Sequence, residues 1–435
     1  MMMQFAADGL QQGWSVFLQL LGQPFYYISV LFVLLQVRKQ IYLDRKMFHS
    51  KLHYWGGYTW RIVLWGIGAG GAASILMAFI GAALTAKAML LLWIVSLLLT
   101  LIHVRYLCFA YAAGVLGLVQ TLTSRFPEWE DAAGIGWFVQ GVNEIHMPSL
   151  FALVALLHLV EAFLMRRKSA RMESPLFLEG KRGKIVGGYH IQGFWPVPLL
   201  LIVPSGGGFE LPWTPLLGQG MWNGGMALLA FPVLMGFGEL VKTQLPASKI
   251  RQTSLYLAGY ALIVLAFAVC TEYVDVLVPL TALLTIGLHE GIILYSRMQE
   301  DRKPPYFVHD GDGLKILGII PGTPAEQMGL LPGERISKVN GVKVNTKEQM
   351  HTALGVQSAY CKLEVINHEG ESRFLQRAIY SGEHHQLGII LAPDDDASSY
   401  ARLSSEPIWS YIAMKFSGWR RRPASGAAER QEEAL

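Results

Sequence analysis

Long apolar runs dominate the chain, and its charged residues collect between them. A helix needs roughly 20 apolar residues to cross a hydrocarbon layer of ~30 Å. Segments of this kind are predicted at about 15–37, 62–84, 88–104, 106–122, 149–165, 194–205, 222–241, 253–272 and 275–296. The sixth is short and bounded by prolines, which leaves a re-entrant path open. Beyond Met298 the pattern changes to short apolar stretches separated by turn residues. A polytopic membrane region over 1–298, a small soluble domain over 304–393 and a polar tail over 394–435 are therefore expected.

Composition agrees: 52% of the 435 residues are hydrophobic against 16% charged, and the mean hydropathy is +0.34, too apolar for a soluble protein of this size. The opening stretch lacks the basic start and small-residue cleavage site of a secretory signal, so the first segment is read as a retained span. The net charge of +4 matters less than its distribution. Basic residues gather at 38–61, 166–184 and 242–251. With roughly nine crossings these loops fall on one side, which places the N-terminus outside and the soluble domain in the cytoplasm. Lys181, Arg182 and Lys184 form a basic patch suited to anionic headgroups. Arg420, Arg421 and Arg422 follow helically spaced apolar residues within 405–422, consistent with an amphipathic segment lying on the bilayer or with a disordered tail. Nothing points to nucleic acid.

Four polar residues within the spans stand out: His158 and Glu161, three apart on one helix, and the adjacent His289 and Glu290. Polar groups at this depth are costly and mark either function or interhelical hydrogen bonding. A helical zinc hydrolase needs a second His four residues after the first. Position 293 is Ile, and the Asp that site-2-type intramembrane proteases supply from a later span is not found. Neither a serine elbow nor a serine–histidine pair replaces it. Cys108, Cys270 and Cys361 are too far apart in sequence to suggest a disulfide or zinc motif. No catalytic residue, metal or cofactor is expected.

The soluble segment "DGLKILGIIPGTPAEQMGLLPGERISKVNGVKVNTKEQMHTAL" has a local reason for each piece. Pro324 opens a short helix that Gly329 ends. Asn340-Gly341 suits a two-residue hairpin turn, and Thr346 with Gln349 forms a capping box. This segment resembles the bacterial type of PDZ domain. The resemblance implies a small α+β fold, a partly open β-barrel or sandwich with two helices, following the α-helical polytopic membrane domain. It also implies a peptide groove between the strand at Leu314–Ile319 and the helix at Lys347–Leu354, with Leu314, Ile316, Leu317, Lys347, Met350 and Leu354 as candidate lining, where a partner segment adds as a strand. Asp310 and Asp312, in the loop before that strand, would repel a carboxylate, which favours an internal or basic segment. "QLGIIL" at 386–391 carries the apolar-Gly-apolar pattern of a carboxylate loop but follows the last expected strand.

Together with "VRYLCFAYAAGVLGLV", "SPLFLEGKRGKIVGGYHIQGFWPVPL" and "LHEGIILYSR", the whole chain resembles the MinJ family of cell-division topological determinants of Gram-positive rods. The resemblance implies a non-enzymatic membrane scaffold, enriched at septa and poles, that bridges a DivIVA-like marker to MinD, the carrier of MinC. A degenerate site-2-protease-like adaptor of regulated proteolysis is the alternative, with a transporter behind it.

Overall fold

The computed structural model describes residues 14–394, apart from 17, 49, 51, 53–54, 169–172, 181–182, 210–214, 219–225, 310, 358–359 and 380–386. Lys181, Arg182 and the tail with Arg420, Arg421 and Arg422 lie outside the described residues. The membrane region contains α1 (Pro24–Phe48), α2 (Trp55–Ile80), α3 (Ala86–Ile102), α4 (Phe109–Thr123), α5 (Gly136–Asn143) and α6 (Met147–Lys168), then strands β1 (Glu173–Glu179), β2 (Ile185–Phe209) and β3 (Met226–Val241), then α7 (Pro246–Tyr273) and α8 (Val278–Arg302). Four described helices are long and apolar enough to cross a membrane, and a fifth candidate is α1 joined to Trp14–Gly22 across a 63° bend. The helices α3 and α4 are apolar but shorter.

The central helix is α6. From Leu150 to Leu157 every side chain is buried, as expected for a helix apolar on all sides. Around it, Leu98, Ile102, Leu262, Ile263, Leu280 and Leu283 point outward and are exposed, the inverted pattern of a lipid-facing surface. Gly117 of α4 lies so close to Phe151 of α6 and Ala282 of α8 that an added Cβ would meet them at 2.9 and 3.0 Å. Small residues thus set the helix spacing where no hydrophobic effect drives association.

Two of the nine predicted helical spans are strands. Segment 194–205 lies within β2 and 226–241 is β3, paired antiparallel from Tyr189↔Val241 to Pro204↔Met226. Pro196, Pro198, Pro204 and Pro232 oppose a helix because an interior proline removes a hydrogen bond and clashes with the preceding turn. A hairpin at membrane depth must hide its edges, since hydrocarbon cannot satisfy backbone groups. Here proline contributes directly. Leu200 N donates to Ser74 Oγ of α2 at 2.8 Å, so the even-numbered residues of β2 turn their backbone groups away from β3. Pro196 and Pro198 share that edge and have no N–H to satisfy. Their carbonyls meet α2 at Gly66 and Gly70, where any Cβ would overlap them. Opposite Leu200 sits Ala230, whose outward carbonyl accepts from Gln23 Nε2 at 2.8 Å.

A buried charge knot ties the hairpin to the last two helices. Lys249, 1% exposed at the start of α7, lies 3.3 Å from Glu239 of β3 and 3.2 Å from Glu300 of α8. Glu300 also accepts from the amides of Lys242 and Thr243 at 2.9 and 3.1 Å, and Glu239 from Thr253 Oγ1 at 2.9 Å and from the Ser296 hydroxyl. Burying these charges is tolerable only because they are paired and hydrogen-bonded.

The soluble domain comprises β4 (Leu314–Ile319), α9 (Pro324–Gln327), β5 (Arg335–Val339), β6 (Val342–Lys343), α10 (Lys347–Gly355), β7 (Tyr360–Ile366), β8 (Ser372–Ala378) and β9 (Ile389–Leu391). Its sheet runs β8-β7-β5-β4-β9, with β6 paired to β5. The local expectations hold: Asn340 and Gly341 both have positive φ (48° and 84°) between β5 and β6, and the Thr346–Gln349 capping box is formed. The domain sits on the hairpin. Phe307 is fully buried, Gly187 N donates to Phe307 O at 3.0 Å, Tyr306 N donates to Lys242 O at 2.7 Å, and the Tyr189 hydroxyl donates to Leu317 O. The start of β2 and the end of β3 therefore meet the same base, so the hairpin enters and leaves the membrane region at one end.

Candidate functional site

Two places concentrate functional chemistry. The first is the edge of the soluble domain, where the structure corrects the expected groove. Strand β4 is interior: it pairs with β5 through Leu314↔Ile336 and Lys315↔Arg335, and with β9 through Ile316↔Leu391, Gly318↔Ile390 and Ile319↔Ile389. With both edges occupied it has no free backbone edge for an incoming strand. Leu314 and Ile316 are fully buried in the domain core, and Leu317 points into the larger cluster shared with Tyr189 and Phe307. Among the described residues the terminal strand on this side is β9. Ile389 and Leu391 pack against the cluster that holds Met350, Ala353 and Leu354 of α10, whereas Ile390 turns to the membrane region. Lys347 begins α10 and is exposed.

The loop before β9 is Leu387-Gly388, with Gly388 at φ 82°. Its carbonyls turn inward, Gly388 O accepting from Ile320 N at 2.8 Å and Leu387 O from Ala325 N at 2.9 Å. The apolar-Gly-apolar signal was therefore in the sequence, attached to a strand that returns to the sheet beside β4. Asp312 lies in the loop that leads into the interior strand β4, a segment whose His309 and Lys315 bond to Ala392 just after β9; Asp310 lies outside the described residues.

The second place is a polar cluster among the helices. His158 of α6 and His289 of α8 both turn Nε2 towards Sγ of Cys108, at 3.2 and 3.6 Å, where Cys108 caps the start of α4. His158 Nδ1 bonds to Val154 O at 2.7 Å, and His289 Nδ1 to the Tyr111 hydroxyl at 3.2 Å. Tyr111 donates to Glu290 Oε2 at 2.6 Å, and Arg105 pairs with Glu290 Oε1 at 2.9 Å. Tyr260 of α7 stacks edge-on against both imidazoles. The adjacent His289 and Glu290 thus face different partners, and Glu161, buried one turn beyond His158, is no part of this hydrogen-bond chain. Lys184 of the basic patch is exposed beside β2.

A PDZ domain model matches residues 315–356. Among curated proteins, the cell division topological determinant MinJ of Bacillus subtilis is 36% identical over 263 residues, covering 59% of this chain and 64% of that protein. The chain is MinJ-like. A probable MinJ of Lacticaseibacillus paracasei is 28% identical over 291 residues, covering 65% of this chain and 77% of that protein. The match thus spans somewhat under two thirds of the Bacillus protein. No solved structure matches.

Of the residues singled out in the sequence of this MinJ-like chain, His158, His289 and Glu290 meet in the polar cluster, and Met350 and Leu354 lie in α10 in the cluster that Ile389 and Leu391 of β9 pack against. Cys108, Tyr111, Arg105, Ile389 and Leu391, which share these two places, were not among the sequence candidates. Cys108 lies 50 residues from His158 and 181 from His289, a separation that only the packing of α4, α6 and α8 closes.

Proposed function

We propose that this protein is a non-enzymatic membrane scaffold for division-site placement, bridging a DivIVA-like polar and septal marker to a MinD-like carrier of MinC through cytoplasmic surfaces that include the PDZ domain. The observation that carries the reading is a PDZ domain packed and hydrogen-bonded against a membrane region, in a chain similar to proteins named cell division topological determinants. In this reading the partner segment lies along β9 beside α10, contacting Ile389, Leu391, Met350 and Leu354, with main-chain bonds supplying affinity.

The orientation follows from combining charge with the hairpin. If the bent first helix and α2, α6, α7 and α8 each cross, while the shorter α3 and α4 together and the hairpin each return to their own side, the basic loops at 38–61, 166–184 and 242–251 and the PDZ domain share one face. That face is the cytoplasmic one by the distribution of Lys and Arg, and the N-terminus is outside.

Imaging a fluorescent fusion with and without the DivIVA-like protein tests the proposal. Septal and polar enrichment that disappears without that partner is expected. Uniform membrane labelling in both backgrounds refutes it. Leu354→Arg, on the half-buried groove side of α10, is expected to release the MinD-like partner or the marker while the protein stays in the membrane.

A further inference from the structure

Cys108, His158 and His289 offer one sulfur and two nitrogen ligands within 4.8 Å of one another. A tetrahedral ion with bonds of about 2.3 Å to sulfur and 2.0–2.1 Å to nitrogen holds S and N roughly 3.6 Å apart. The separations of 3.2 and 3.6 Å lie at or a little below that value. The three ligands come from three elements: the N-cap of α4, the middle of α6 and the middle of α8.

Hydrogen-bond arithmetic gives an independent reason. The Val154 carbonyl only accepts, so its 2.7 Å bond requires His158 Nδ1 to carry the proton, which leaves Nε2 as a lone pair. The single hydroxyl proton of Tyr111 goes to the Glu290 carboxylate at 2.6 Å, so Tyr111 accepts from His289 Nδ1, and His289 Nε2 is also a lone pair. Two acceptor lone pairs then converge on one thiol, which has one proton to give. A cation resolves the shortfall, because it uses both lone pairs and the thiolate together. The outer contacts are those that fix an imidazole's tautomer and aim it at a metal: a backbone carbonyl on one ring and a Tyr–Glu–Arg relay on the other.

We propose that Cys108, His158 and His289 bind one thiophilic ion, zinc or cuprous copper, that staples α4, α6 and α8 within the membrane region. A thiolate with two imidazoles suits these soft and borderline ions, and it disfavours magnesium and calcium, which take oxygen ligands. Binding releases the thiol proton to solvent, and no electron is transferred. Tyr111, Glu290 and Arg105 are positioning residues for His289.

The full chain, purified in detergent without a polyhistidine tag, is supplied with zinc or, under anaerobic conditions, cuprous copper, then dialysed and measured by elemental mass spectrometry. One ion per chain is expected for at least one of the two metals, retained in Cys270→Ser and lost in Cys108→Ser and His289→Ala. Cobalt(II) gives a readout that needs no variant. A thiolate-to-cobalt absorption band saturating at about one equivalent and erased by zinc is the signature of the cysteine-ligated site. Failure of the wild-type chain to retain either ion, together with absence of the cobalt band, overturns the proposal. So does metal content that survives both ligand substitutions in chains that remain monodisperse. These outcomes are separable from the scaffold reading, which is tested by localisation alone.

Discussion

Replacing Lys249 by Met probes the charge knot beneath the PDZ domain. Methionine keeps the unbranched stem and its packing but removes the cation that lies 3.3 Å from Glu239 and 3.2 Å from Glu300. Removing one partner of a buried ion pair costs about 3–5 kcal/mol, because the remaining charge is stranded. The low end applies here. Each carboxylate keeps two other donors, the amides of Lys242 and Thr243 for Glu300 and the hydroxyls of Thr253 and Ser296 for Glu239. With an unfolding entropy of about 2.1 cal/mol/K per residue over 435 residues, a loss near 3 kcal/mol corresponds to a fall in Tm of roughly 3 °C. Tryptophan fluorescence of the detergent-solubilised full chain, heated at a fixed scan rate because unfolding of such proteins is commonly irreversible, reads that shift. Adding Glu300→Gln to Lys249→Met removes one stranded charge and should recover part of the loss. A Tm for Lys249→Met within about 1 °C of wild type would refute the claim that the knot holds the hairpin to α7 and α8.

Gly70→Ala should destabilise by about 1–3 kcal/mol, the range for overpacking, because the new Cβ would sit 2.9 Å from the carbonyl carbon of Pro198 and 3.2 Å from its Cδ. Gly71→Ala, with nothing within 4 Å, should be neutral or slightly stabilising, and the same melting assay separates the two. Burial pushes the Cys361 thiol up from 9.0 to about 11. The folded state therefore holds this proton more tightly than the unfolded chain, so its contribution to stability is complete below pH 9 and is lost as pH rises through 11. Correspondingly, alkylation of Cys361 at pH 8 should be slow in the native protein and fast after denaturation, as peptide mass spectrometry would show; equal rates would refute the burial.

Much of the soluble domain was legible because its signals are local. Asn340-Gly341, Thr346 with Gln349, and Pro324 with Gly329 each act within a few residues, and each forms the element it predicts. The groove strand was misplaced for a non-local reason. Whether β4 is an edge depends on the return of β9 from about 70 residues later in the chain, and no property of Leu314–Ile319 reports that. The hairpin misled for a related reason. A strand buried on both faces is as continuously apolar as a short membrane helix, and only the prolines distinguish them.

The sequence by itself determined that this is a membrane protein with a C-terminal PDZ domain, because hydrophobic length and turn chemistry are properties of contiguous residues. Tertiary structure decided which apolar segments became strands, which strand was left at the edge beside α10, and that Cys108, His158 and His289 converge. Those outcomes depend on close packing between distant segments. An edge must be covered where no water can reach it, so Gly66, Gly70 and Ser74 matter only once β2 lies against them.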